Sequence, residues 1–168
     1  MRRRNLAQFD VKKVTTNDWI LAGGCVAVFL GVFFKWFAVG GGSVAGFSIP
    51  EFSVNGFHYF FQGTIPWIIS IAIVVLLVLR KFFAEEVRMP ERAGQLSWSQ
   101  VYLIASAVAA VLVLLRLATG DGGADRKFGI WLTSLGVVAM VVGAYLKFQS
   151  KEDDAAGAGP GTTPPTPF

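Results

Sequence analysis

The stretch Ile65–Arg80 reads IPWIISIAIVVLLVLR, and its chemistry decides what kind of molecule this is. Pro66 falls where the first turn of a helix tolerates it. The β-branched run that follows suits a helix facing lipid, and Arg80 and Lys81 are long enough to snorkel towards headgroups at its far end. We read a span over residues 65–83.

Three further runs have the same character. Residues 19–37, WILAGGCVAVFLGVFFKWF, come to roughly 30 Å at the helical rise, the thickness of a hydrocarbon core, and TTND before them offers Thr16, Asn17 or Asp18 as an N-cap. Residues 99–118 contain VYLIASAVAAVLVLLRLA, with Ser97 or Ser99 as cap. Residues 128–148 read FGIWLTSLGVVAMVVGAYLKF. Trp19, Trp36, Trp67, Trp98, Trp131 and Tyr145 fall near the ends of these runs, as interfacial aromatics do. The first run exceeds the usual ~7–15 apolar residues of a signal peptide and ends in bulky side chains, so we expect it to remain as a helix.

Composition agrees. Of 168 residues, 54% are apolar or aromatic and 15% are charged, too few to cover a water-facing surface; the mean hydropathy is +0.55. The expected fold is an all-α membrane protein, a four-transmembrane-helix bundle over 18–150. A cytoplasmic basic arm (1–17) precedes it, and a disordered cytoplasmic tail rich in Pro, Gly and Thr (151–168) follows. Eleven of the fifteen Lys and Arg residues lie on the side of the two termini and the 84–98 loop. That bias predicts the cytoplasmic membrane with both termini inside.

The segment VGGGSVAGFSIPEFSVNGFHYFFQG between the first two spans is almost uncharged and rich in glycine and aromatics. Phe47 with Ile49, then Phe52 with Val54, alternate at the strand period, and Pro50 and Asn55-Gly56 supply turn chemistry. A short two-stranded element lying over the outer end of the bundle is expected. Its phenylalanines should rest on the helices, enter the headgroup layer or meet a partner. The loop FFAEEVRMPERAGQLSW reads as a solvated connection.

Catalytic, cofactor-binding and metal sites are not expected, and no cofactor is implied. One cysteine, Cys25, excludes an intrachain disulfide and a cysteine-based metal cage, and the one histidine, His58, has no HxxxH spacing. No serine–histidine arrangement or GxSxG motif is present, and Gly40–Gly42 lacks the lysine of a phosphate loop. Small residues recur at four-residue spacing: Gly23, Ala27 and Gly31 in the first span, Ala105 with Ala109, Ser106 with Ala110, and Ala139 with Gly143. Such faces let helix backbones approach closely, within the bundle or against a partner. Lys35 and Arg116, in the outermost turns of their spans, either snorkel or pair with Glu51, Asp121 or Asp125, or else bind an anionic headgroup or a partner's carboxylate.

The run TTNDWILAGGCVAVFLGVFFKWF, its glycine- and aromatic-rich loop and FFQGTIPWIISIAIVVLLVLR resemble small four-span membrane proteins common in actinobacteria, whose members are generally uncharacterised. The resemblance covers roughly residues 14–150 and implies architecture and location but no activity. The layout is also similar to claudin-like proteins, although their paired loop cysteines are missing here. The expected function is that of a non-enzymatic accessory or scaffold subunit; the alternative is a lipid-handling or small-solute transport component with Lys35 and Arg116 at the outer mouth of a groove. The implied partners are membrane lipid and either another membrane protein or a second copy of the chain; nucleic acid is not among them.

Overall fold

The computed structural model describes residues 14–83 and 93–150. The basic arm and the tail, and most of the loop between the second and third runs, lie outside the described residues. Among the described residues four α-helices run alternately up and down: α1 (Thr16–Gly31), α2 (Ile65–Phe82), α3 (Trp98–Thr119) and α4 (Phe128–Ser150). Among the described residues three helical segments, Phe60–Phe82, Trp98–Thr119 and Phe128–Ser150, are long and apolar enough to cross a membrane. The first of these includes a π-helical turn, Phe60–Thr64, ahead of α2.

Local chemistry sets the helix starts. Thr15 caps α1 in a reciprocal box with Asp18, so the capping residue is none of the three expected, and Asp18 is instead the third helical residue. Ser97 and Gln100 form the same box on α3. Pro66 occupies the first turn of α2, as expected.

The first run departs from expectation. α1 stops at Gly31, after sixteen residues, and Lys35 opens a strand, so Trp36 and Phe37 are not helical. Strand β1 (Lys35–Val44) pairs antiparallel with β2 (Phe47–Asn55), with a bulge between Lys35 and Phe37. The short strand β3 (Asp125–Arg126) joins the other edge of β1 at Phe37 and Ala38, giving three strands in place of two. The aromatic and β-branched run VFFKWFAV packs well on either structure. Pairing on both sides decides for the strand.

Trp36 fastens this junction. Its indole Nε1 donates to the carbonyl of Gly31 at 3.0 Å, satisfying an acceptor left open at the end of α1. Its own carbonyl accepts from Lys127 N at 2.8 Å, and Val32 O accepts from Gly56 N at 2.9 Å. The ring is fully buried and stacks on Tyr59, so this tryptophan leaves the interfacial belt expected for it.

The core lies chiefly along the α1–α4 seam, where Leu21, Cys25, Val28 and Val32 meet Ile130, Val137, Met140 and Ala144. Glycines make the seam close: a Cβ on Gly24 would lie 2.6 Å from the backbone nitrogen of Met140, and one on Gly136 would lie 2.8 Å from that of Val28. Gly129 abuts Trp36, and Gly143 abuts Leu21. The contact glycines recur every seven residues (Gly24 and Gly31; Gly129, Gly136 and Gly143), the spacing of a coiled-coil seam.

Candidate functional site

Charged groups gather at both ends of the bundle. At the end where α1 begins and α4 finishes, Asp18 Oδ1 accepts from Lys147 Nζ at 2.6 Å and Oδ2 is 2.8 Å from Lys81 Nζ, while Thr15 N donates to Oδ2 at 3.1 Å. The Lys147 side chain is 1% exposed and that of Lys81 24%. Lys147 also sits 5.9 Å above the Tyr102 ring, and Arg80 covers Trp98. One carboxylate thus joins the start of α1 to the ends of α2 and α4. Breaking such a buried pair by removing one partner costs several kcal/mol, roughly 3–5, because the other charge is stranded.

At the sheet end, Arg116 Nη2 meets Asp121 Oδ1 at 2.5 Å and Tyr59 donates its hydroxyl to Asp121 Oδ2. The guanidinium lies 3.9 Å from the centre of the Tyr59 ring and 5.1 Å from that of Phe37. The Tyr59 hydrogen bond and then Arg116 hold the Asp121 carboxyl below its ordinary range. Burial, then the hydrogen bond to Asp121, pushes the Tyr59 phenol up. The group locks the end of α3 onto the entry to α2.

Lys35 pairs with Glu51 at 2.8 Å across the β1–β2 hairpin, and Lys127 is 3.6 Å from the same carboxylate. Lys35 first, and Lys127 after it, hold the fully exposed Glu51 carboxyl low. Lys35 lines a shallow depression with Phe33, Val54, Asn55 and His58, in which Arg116 takes no part. The two cations therefore belong to separate constellations. Asp125 comes within 3.9 Å of Lys127 rather than near Lys35 or Arg116.

Of the small residues singled out by four-residue spacing, Gly31, Ala109 and Gly143 are buried, whereas Ala27, Ala105 and Ala139 are half-buried. Gly23 is exposed, with nothing within 4 Å of a Cβ built on it. Gly31 and Gly143, which four-residue spacing picks out, and Gly24, Gly129 and Gly136, which it passes over, all make close contacts: a Cβ on any of the five would lie within 2.8 Å of a facing atom. The Asp18–Lys147–Lys81 cluster also escaped sequence reasoning. Its signal was a lone acid one residue before a span and two lysines just inside the matching ends of two others.

The hairpin beyond Ala38 stands clear of the bundle. Residues 39–53 are exposed throughout, with Phe47 79% and Phe52 76% accessible. Its two-residue turn, Ala45-Gly46, has both φ values positive, 50° and 82°, which is the turn geometry that matches strand twist. On one face Val44 and Phe47 pair beside Gly42 and Ile49; on the other Val39 pairs with Phe52. The phenylalanines do not rest on the helices.

Among the described residues no group of three or more His, Cys, Asp or Glu side chains is placed to hold a metal ion. Cys25 is a buried free thiol, and His58 is exposed, edge-on to Tyr59. Comparison with protein-family models, with curated proteins and with solved structures gives no match. The chain's own geometry must carry the functional reading.

Proposed function

We propose that this chain is a non-enzymatic, four-span subunit of the cytoplasmic membrane, both termini inside, that engages another membrane or exported protein through its β1–β2 hairpin. The observation that carries the reading is the uncovered hairpin: Val39, Val44, Phe47, Ile49 and Phe52 are all exposed, and Glu51 is the one charged residue between Val39 and Ser53. An apolar surface held away from its own core is costly in water and marks a contact site. β2 is an edge strand, but Pro50 in its middle lacks the N–H that an added strand needs, so contact falls to the side-chain faces.

Four crossings are compatible with the short α1. Sixteen helical residues reach about 24 Å, and the exposed Phe33 and Phe34 that follow extend the apolar surface towards the sheet. The excess of Lys and Arg at the terminal end supports the orientation. The small-residue faces contribute less to this reading, because the closest glycine contacts are made within the bundle.

A photo-crosslinking residue placed at Phe47 or Phe52 in native membranes should give the same discrete protein adduct, while one at exposed Leu135 on α4 should give none. Adducts with lipid alone at both hairpin positions would remove the proposal.

A further inference from the structure

The seam between α1 and α2 is looser than that between α1 and α4, and two crevices lie along it. One, of about 190 Å³, has apolar walls from Trp19, Ala22, Val74, Leu77, Val78 and Phe82 and ends at Asp18 and Lys81. The other, of about 220 Å³, is lined by Cys25, Val26, Phe29, Ser70 and Val75 among others, and the two meet at Val74. Together they follow α1 from Asp18 to Phe29, roughly 16 Å at the helical rise. Trp19, Val26, Phe29 and Val75 on their margins are exposed, so the groove opens on the outer surface of the bundle.

We infer that this groove holds an anionic phospholipid of the leaflet at the terminal end, one acyl chain lying between α1 and α2 and the phosphate meeting Lys81. The inference rests on reading the helices as membrane spans. The groove offers the two parts of such a molecule their matching surfaces in the right order. Its length is apolar and faces the acyl layer, and its end is a cation at headgroup depth. Asp18 holds the ammonium of Lys81 in place there at 2.8 Å, and 24% of the side chain's surface is accessible. A neutral zwitterionic lipid gains less from a cation, because its own ammonium opposes the contact. Soluble phosphate would gain nothing from the apolar walls.

The full chain purified in mild detergent and exchanged into mixed phosphatidylglycerol and phosphatidylcholine should retain phosphatidylglycerol preferentially, as read by native mass spectrometry. Lys81→Gln should lower that retention at least tenfold, and Lys81→Arg should keep it. Ala22→Phe, which fills the groove and leaves the Asp18 pairs untouched, should lower it as well, so the test survives if Lys81→Gln fails to fold. Equal retention of phosphatidylglycerol by wild type and Ala22→Phe would overturn the inference, as would displacement of the lipid by inorganic phosphate alone. Recovery of the wild-type chain in the alkaline-washed membrane pellet separately tests the spanning reading. A soluble chain there would sink both, whereas a pelleted chain without lipid preference would sink the groove site alone.

Discussion

The α1–α4 seam and the β1–β2 hairpin are built from similar residues, glycine among apolar and aromatic side chains, yet they are used in opposite ways. In the seam every contact glycine lies against the backbone or side chains of the facing element, and the aliphatic side chains beside it are buried. In the hairpin the glycines meet little beyond the partner strand, and the large side chains point outward. The difference is one of anchorage. The seam is closed at one end by the Asp18–Lys147 pair and at the other by Trp36, whereas the hairpin is held at its root, Trp36 to Ala38, and by the exposed Lys127–Glu51 pair. Apolar composition alone does not separate a surface that stabilises the fold from one left available to something else.

That contrast can be broken first at the buried charge. Asp18→Ala removes the carboxylate shared by Lys81 and Lys147 and the reciprocal half of the α1 capping box, and should destabilise the protein by about 3–5 kcal/mol, read as a lowered melting temperature in detergent. Gly136→Val comes next: its Cβ would lie 2.8 Å from Val28 N and 2.9 Å from Gly24 O, so a loss of about 1–3 kcal/mol is expected by denaturant titration. Gly23→Ala, one residue from the seam, is the internal control. It should cost nothing and gain up to about 1 kcal/mol of helix propensity.

At the sheet end, Asp121→Asn should cost about 1.5–3 kcal/mol by weakening the charged hydrogen bonds to Arg116 and Tyr59. Because the Asp121 carboxyl is held below its ordinary range, its contribution is complete above the unfolded carboxylate range and disappears as pH falls through the lower folded value. Melting temperature should therefore drop on acidification below about pH 4, and Asp121→Asn should flatten that acid limb. The smallest effect is expected in the hairpin. Phe47→Ser with Phe52→Ser should change stability by less than about 0.5 kcal/mol while abolishing the crosslinked adduct; a large loss of stability would mean that the hairpin packs after all.

The three long helices were legible because each is an extended apolar run with caps or turn residues at its borders. The end of α1 was not, since VFFKWFAV is equally apolar as helix or strand and β2 and β3 settle the matter from residues 47–55 and 125–126. Small-residue spacing carried the idea of close helix contact and picked out Gly31 and Gly143, but it passed over Gly24, Gly129 and Gly136. A four-residue repeat selected exposed Gly23, and the antiparallel seam follows a seven-residue one. Asp18 and Lys147 stand 129 positions apart. Counting charges by flank gives each a side of the membrane but cannot pair them.

The seven-residue interval also sets what lengths α4 can tolerate. Each added residue turns the rest of a helix by about 100°, so inserting one alanine between Gly136 and Gly143 would swing the second glycine off α1 and carry Lys147 away from Asp18 at the same stroke. An insertion of a full seven would restore the phase but move the lysine by about 10 Å along the axis. The helix is thus keyed in rotation by its glycines and in translation by its lysine, and no single change in length satisfies both.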